Sequence, residues 1–166
     1  MERALAFVKT EHLDRWCEIF GFFDERLWQE FGNFERGLPS VFLLPPARLI
    51  AEHYAHIKGV APKVYEDVIN VFSKGGIVVR EYRGRDGMIL AARGVLGNTD
   101  PQKAEMGTVR RVYSTDSLAV ALAEGRAVRN VMHVSGSPEE GIAELERFRK
   151  FVFSGDKTLY VSYCLR

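Results

Sequence analysis

Cysteine, long apolar runs and an excess of charge of one sign are all scarce in this chain of 166 residues. Two cysteines, Cys17 and Cys164, are too few for a four-cysteine zinc site or a disulfide framework, so we expect a reducing, cytoplasmic setting. No apolar run approaches the ~18 residues that a membrane helix needs, and the N-terminal apolar stretch is too short for a signal peptide. We therefore expect no membrane partner.

Charge and composition limit the classes of ligand that this chain is expected to bind. The formal net charge is +1, whereas nucleic-acid-binding domains usually carry a clear basic excess, so no nucleic-acid partner is expected. With 46% hydrophobic and 27% charged residues, the chain has an ordinary globular balance, and its length fits one domain spanning residues 1–166. Because the net charge is close to zero, any anion site must be a local concentration of lysine and arginine. The phosphate loop GxxxxGK[ST] is absent.

Apolar runs and helical periodicity alternate along the chain. Strands are predicted at residues 3–8, 40–44, 77–82 and 130–134. Helices are predicted at residues 14–31, 47–57 and 62–73, after a capping Asp86, and after Ser137, where Pro138 and Glu140 complete a helix-start pattern. This order favours an α+β fold, a ferredoxin-like βαββαβ sandwich whose four-stranded antiparallel sheet carries helices on one face, plus helical insertions. Residues 158–165 alternate like a further strand, suited to the sheet or to a subunit contact.

Four polar clusters fall at the edges of these elements, and the first two have ordinary structural explanations. Lys9 ends the first strand, and taken alone it is explained as a solvent-exposed lysine. His53 and Tyr54 suit a helix that packs against the core. Residues 93–110 contain two arginines, Arg93 and Arg110, around a turn-rich loop, and arginine's planar fork suits phosphate oxygens.

His133, near the end of the fourth strand, is the centre of the fourth cluster. A histidine on an apolar strand is usually a packed core residue. Here, however, a strand-to-helix turn follows it, and the helix N-terminus favours a negatively charged group. Glu144 lies two turns beyond Ser137 along that helix, so its side chain can reach back toward His133.

Together these clusters resemble the nucleoside diphosphate kinase family. After Arg93, the chain reads LGNTDP at residues 96–101 and GTVR at residues 107–110, similar to the family's LGxT(N/D)P and GT(I/V)R. Residues 130–137 read NVMHVSGS, similar to the family's NxxHGSDS, and Glu144 falls at the family's glutamate position. Lys9 and the pair His53–Tyr54 match two further motifs, so the resemblance covers nearly the whole chain.

The resemblance implies transfer of the γ-phosphate from a nucleoside triphosphate to a nucleoside diphosphate, by a ping-pong mechanism through a phosphohistidine on Nδ1 of His133. Ser135 and Glu144 are implied to orient the imidazole. The implied phosphate-binding residues are Tyr54, Arg93, Thr99 and Arg110, and those contacting the ribose and the phosphoryl region are Lys9 and Asn130. Mg²⁺ is implied as a cofactor held by the nucleotide phosphates, with no metal site of protein ligands. A homo-oligomer is implied as well.

Three of the chain's departures from the family bear directly on the site or the assembly. The phenylalanines that stack on the base in the family are replaced by a stretch in which Tyr65 is the candidate for stacking. Val134 replaces a glycine beside His133, where a β-branched side chain is expected to restrict the backbone or crowd the phosphate. The stretch between Arg110 and Asn130 is longer than in the family and contains SLAVALAEG, predicted as an added helical turn. We call residues 111–129 the insertion, and expect it to alter or reduce the assembly.

The leading hypothesis is a kinase that accepts nucleotides with different bases, and two alternatives to it remain open. The first is a catalytically weak or inactive nucleotide-binding relative that acts as a sensor or interaction module, which the lost phenylalanines and Val134 favour. The second is an unrelated ferredoxin-like RNA-binding domain, with exposed aromatic residues on the sheet face and salt-sensitive binding. The near-neutral charge speaks against the second alternative.

Overall fold

Strands and helices alternate in the predicted order in a computed structural model, which describes residues 1–37, 40–152 and 158–160. The described strands are β1 (Glu2–Val8), β2 (Phe34–Arg36), β3 (Val41–Leu43), β4 (Ile77–Gly84), β5 (Met132–Val134) and β6 (Thr158–Tyr160). The described helices are α1 (Trp16–Phe31), α2 (Ala47–His53), α3 (Pro62–Gly75), α4 (Met88–Leu96), α5 (Val109–Tyr113), α6 (Leu118–Ala123) and α7 (Pro138–Val152). None of these helices combines the length and the apolar character that crossing a bilayer requires.

The sheet is antiparallel, and its strand order is β5-β1-β4-β3-β6, with β2 also beside β4. Strand β1 lies between β4 and β5, in a register that places Phe7 opposite Val79 on one side and His133 on the other. Strands β2 and β3 pair with different halves of β4, and β6 pairs with β3. The α+β, ferredoxin-like fold class predicted from the sequence is confirmed.

Two details of the predicted sheet were wrong. Two short strands, β2 and β6, join the four predicted ones, so six strands are described rather than four. Strand β2 falls in a stretch predicted as a loop, because its three residues between Gly32 and Gly37 are too few to show alternation. Residues 158–160 of the predicted last strand form β6, whereas residues 161–165 lie outside the described residues.

The second error concerns the helices, which cover both faces of the sheet instead of one. Residues 4–8 of β1 are all buried, so this strand needs apolar cover on each side. Ala4, Ala6 and Val8 pack with α1 and α4, whereas Leu5 and Phe7 pack with α2, α3 and α7. The uninterrupted apolar run of β1 is the sequence feature that indicates double cover, and Phe7 marks the face that carries the site.

The start of α4 differs from its prediction as well. Asp86 does not cap this helix; its carboxylate forms an ion pair of 3.2 Å with the N-terminal amine. Glu2 takes over the capping, because its carboxylate accepts hydrogen bonds from the backbone of Gly87 at 3.0 Å and of Ile89 at 2.7 Å. An acceptor that lies far away in sequence satisfies the free N–H groups of this helix.

Candidate active site

A tight turn before β5 positions His133. The backbone N–H of Met132 donates to the carbonyl of Asn130 at 2.9 Å, and Val131 between them has a φ of 75°. A β-branched residue in this left-handed region is strained, and the surrounding contacts must hold it there. One such contact is the hydrogen bond of 2.9 Å from the Lys9 N–H to the Val131 carbonyl. The turn thus ties the end of β1 to the start of β5.

The His133 ring is fixed through one of its nitrogens. Nε2 lies 3.1 Å from both carboxylate oxygens of Glu144, and the ring stacks on Phe7 with centroids 4.8 Å apart. Both hydrogen bonds involve Nε2, so Nδ1 is the ring nitrogen that Glu144 does not hold. The side chain remains 19% exposed. This arrangement holds the imidazole in a defined orientation.

Ser135 and the start of α7 hold Glu144 in place. The Ser135 hydroxyl donates to the Glu144 carboxylate at 2.6 Å and accepts from the Leu5 N–H at 2.9 Å. The predicted helix start is confirmed, because Ser137 caps the Glu140 N–H and the Glu140 carboxylate accepts from the Gly136 N–H. Burial raises the pKa of Glu144, but the hydrogen bond and charge of His133 outweigh it, and the net shift is downward. Glu144 is therefore an anionic partner of His133.

Arg110, Asn130 and Lys9 form a buried polar network beside His133. The Arg110 guanidinium donates to the carbonyls of Gly97 at 3.0 Å and Met132 at 3.3 Å, and burial lowers its pKa to about 10. The Lys9 ammonium donates to the Asn130 side-chain oxygen at 2.5 Å, and burial lowers its pKa to about 8. Two buried cations with incomplete charge compensation make this end of the site suited to anions.

Thr99 and Tyr54 complete this polar region. The Asn130 amide donates to the Thr99 carbonyl at 2.9 Å, and the Thr99 hydroxyl lies 3.5 Å from Arg110. Tyr54 follows α2 directly, and its ring lies 4.8 Å from the His53 ring. Burial raises the pKa of Tyr54 above its ordinary value, so its hydroxyl remains a hydrogen-bond donor.

Arg93 and Val134 meet at the end of β5. The Arg93 guanidinium, on α4, donates to the Val134 carbonyl at 3.3 Å and is otherwise exposed. The Val134 side chain is 1% exposed and belongs to the core cluster under α1 and α4, on the face opposite Phe7 and His133. The expectation that Val134 crowds the phosphate was therefore wrong, because alternation along the strand directs its side chain into the core.

A cavity of about 540 Å³ unites these side chains. Its lining includes every predicted site residue except Ser135, which lies behind Glu144, and Tyr65. The Tyr65 hydroxyl instead donates to the Ala51 carbonyl at 3.3 Å, so the prediction that Tyr65 replaces the missing stacking residues lacks support. Residues that the sequence did not single out also line the cavity, notably Leu118, Leu122 and Arg126 of the insertion.

His53 is the buried group whose environment the sequence did not reveal. Its side chain is 2% exposed, and its Nδ1 has no hydrogen-bond partner in the described residues while lying 3.8 Å from Glu144. His53, His133 and Glu144 offer ligand atoms within 4.8 Å of one another, a set of two nitrogens and one oxygen. Such a set does not suit Mg²⁺, which prefers oxygen ligands.

The burial of His53 predicts a pH-dependent stability. Burial, followed by the charge of His133, lowers the pKa of His53 from 6.5 to about 3. Between these values the unfolded chain binds a proton that the folded chain does not, so stability falls as the pH decreases, by up to about 1.4 kcal/mol per unit. His53→Gln removes this contribution. Urea unfolding at about pH 7 and about pH 5 should show a smaller loss for the variant than for the wild type. An equal loss would contradict this explanation.

Comparison with known proteins places the chain in a family. The family model described as nucleoside diphosphate kinase matches residues 41–155. A nucleoside diphosphate kinase of Carboxydothermus hydrogenoformans is 32% identical over 164 residues, covering 96% of this chain and 96% of the relative. One from Thermococcus kodakarensis is 31% identical over 152 residues, covering 90% of this chain and 78% of the relative.

Solved structures share the fold. A nucleoside diphosphate kinase of Borrelia burgdorferi, a transition state mimic with bound vanadate and ADP, has a TM-score of 0.76 at 20% identity, covering 98% of this chain and 93% of that one. An NDP kinase of Pyrobaculum aerophilum has a TM-score of 0.72 at 20% identity, covering 89% of this chain and 94% of that one. At these identities, the likeness establishes a common architecture.

Proposed function

The chain belongs to the nucleoside diphosphate kinase family of phosphotransferase enzymes, and we propose that it transfers the γ-phosphate of a nucleoside triphosphate to a nucleoside diphosphate through a phosphohistidine on His133. The observation that carries the proposal is the pairing of His133 Nε2 with Glu144 in the wall of a cavity that also contains Arg93, Arg110 and Lys9. An oriented nucleophile beside converging cations is what phosphoryl transfer requires.

In the first half-reaction, Nδ1 of His133 attacks the γ-phosphorus, a nitrogen–phosphorus bond forms, and the bond to the β-phosphate oxygen breaks. Glu144 accepts the hydrogen bond from Nε2–H, which keeps the proton on Nε2 and the lone pair on Nδ1. In the second half-reaction, a terminal oxygen of the acceptor diphosphate attacks the same phosphorus, and the bond to Nδ1 breaks. The imidazole is thereby regenerated.

The remaining site residues position and neutralise the phosphates. Arg93 and Arg110 provide planar donor forks for phosphate oxygens, and Thr99 and Tyr54 provide hydroxyl donors. Lys9 and Asn130, already hydrogen-bonded to each other, face the phosphoryl region and the ribose. Mg²⁺ bound through the nucleotide phosphates would offset further negative charge. The cytoplasmic, homo-oligomeric enzyme implied by the sequence resemblance is part of the same proposal.

An inactive nucleotide-binding relative is the competing function, which the position of Tyr65 outside the cavity lining favours. Initial rates of phosphate transfer from ATP to GDP separate the two. The kinase should give parallel lines in double-reciprocal plots when both nucleotides are varied, because the donor product leaves before the acceptor binds. Saturable binding of both nucleotides with no transfer above background would support the inactive relative instead.

A further inference from the structure

The insertion forms a firmly held wall of the cavity. The Leu118 N–H, at the start of α6, donates to the Asp100 carboxylate at 3.2 Å, and the Ser117 hydroxyl caps the Val120 N–H. At the other end of the insertion, Arg126 pairs with both oxygens of Asp116, at 2.6 and 3.0 Å. These contacts, together with the fully buried Ala121, fix the position of α6.

The insertion is also fastened to α3. The Ala127 N–H donates to the Asp67 carboxylate at 2.9 Å. Gly125, with a φ of 66°, lies so close to Lys63 that an added Cβ would be 3.2 Å from the lysine side chain. These contacts therefore hold α6 and α3, which both line the cavity, in a fixed position relative to each other.

The side chains that these walls present to the cavity are aliphatic. Leu118 and Leu122, four residues apart on α6, line the cavity while remaining 36% and 52% exposed. Val64 and Val68 of α3 line it as well. Exposed leucines on an anchored helix, facing a cavity rather than the core, indicate an apolar ligand surface.

The guanidinium of Arg126, which also lines the cavity, is largely engaged within the chain. Four of the five N–H groups of Arg126 already donate inside the chain, to Glu124, to Asp116 or to the Ala127 carbonyl. The aliphatic side chains beside it have no group that reads the hydrogen-bonding edge of a base. Their contribution to binding is to bury the faces of a flat ring.

We propose that Leu118 and Leu122, together with Val64, form the surface that binds the nucleobase in place of the missing aromatic residues. This inference rests on the proposed function, which assigns the phosphates to Arg93, Arg110 and Lys9 of the cavity lining. The base is the flat, weakly polar part of the same ligand, and the aliphatic side chains of the lining fit it. Recognition by apolar contact alone gives affinity for purines and pyrimidines alike.

The test compares ligands with and without a base. Dissociation constants of ADP and ribose 5′-diphosphate are measured by titration calorimetry for the wild type, the double variant Leu118→Ala/Leu122→Ala, and the control Val120→Ala. The double variant should weaken ADP binding about tenfold, because it removes apolar contact area, and leave ribose 5′-diphosphate binding unchanged. Val120 lies on the same helix, is 48% exposed and does not line the cavity, so its variant should match the wild type for both ligands.

The outcomes separate this inference from the function on which it rests. Equal weakening of both ligands, or no weakening of either, would overturn the assignment of the base to α6. Labelling of the same proteins with γ-labelled ATP at saturating concentration provides an independent readout. If no protein is labelled, the kinase proposal fails, whereas the calorimetric comparison still decides where the base binds. Thermal melting of the double variant confirms that any loss occurs in a folded protein.

Discussion

Replacing His133 with glutamine should lower the rate of phosphate transfer between nucleotides by at least about four orders of magnitude, as expected when a covalent nucleophile is removed. Glutamine approximates the volume of histidine and can still hydrogen-bond to Glu144, so the variant keeps the packing against Phe7. Nucleotide binding should persist, because the arginines and lysine of the site are untouched. The measurement is the coupled exchange assay with ATP and GDP, together with nucleotide affinity by calorimetry.

Two other histidines of the cavity provide matched controls. His56 lines the cavity from an exposed turn, and His56→Gln should leave the rate within about threefold of the wild type, as for a surface substitution. His53 lies 4.8 Å from His133 between ring centroids, but its side chain is only 2% exposed, so it is too buried to meet a phosphate. If transfer survives in His133→Gln and disappears in His53→Gln, the nucleophile is His53, and the assignment to His133 is wrong.

Replacing Glu144 with glutamine should lower kcat by about 10- to 100-fold and change KM little, because a hydrogen bond to a charged group contributes about 1.5–3 kcal/mol. The carboxylate is placed 3.1 Å from His133 Nε2 and 2.6 Å from the Ser135 hydroxyl. Its charge favours the proton on Nε2 and offsets the positive charge that develops when Nδ1 is phosphorylated. An amide supplies the same shape without this charge.

The control for Glu144 lies one turn earlier on the same helix. Glu140 also lines the cavity, but its carboxylate accepts a hydrogen bond from the Gly136 N–H and does not contact His133. Glu140→Gln should keep kcat within about threefold of the wild type. If both variants lose kcat equally, or if Glu144→Gln lowers only the melting temperature, Glu144 acts on the fold and not on the imidazole.

Much of the fold could be predicted from the sequence, because the local residue patterns agree with the burial seen in the structure. The start of α7 was readable from Ser137, Pro138 and Glu140, and that start fixes how far Glu144 lies from His133. The run of apolar residues in β1 indicates a buried strand. Only the packing shows that helices cover this strand on both faces of the sheet. Residues with long-range partners, such as Lys9 and Asn130, were identified by resemblance to a family and not by pattern.

Contacts that depend on how helices and strands pack against one another could not be predicted from the sequence. The helical turn of the insertion was predicted from its apolar residues, but nothing local indicates that Leu118 and Leu122 face a cavity. Tyr65 was chosen by its place in the chain, whereas the rotation of α3 brings Val64 and Val68 to the cavity instead. That His53 Nδ1 lacks a hydrogen-bond partner among the described residues likewise follows from the packing of α2 against α7.

The most direct test of the central claim is to isolate the phosphorylated intermediate. Wild-type protein is incubated with γ-labelled ATP and Mg²⁺, freed of nucleotide, and divided, with one portion analysed for the labelled residue and the other chased with GDP. The phosphohistidine account predicts an acid-labile label on Nδ1 of His133 that passes to GDP to form labelled GTP. Protein that exchanges phosphate without acquiring label, or label on a residue other than His133, would contradict it.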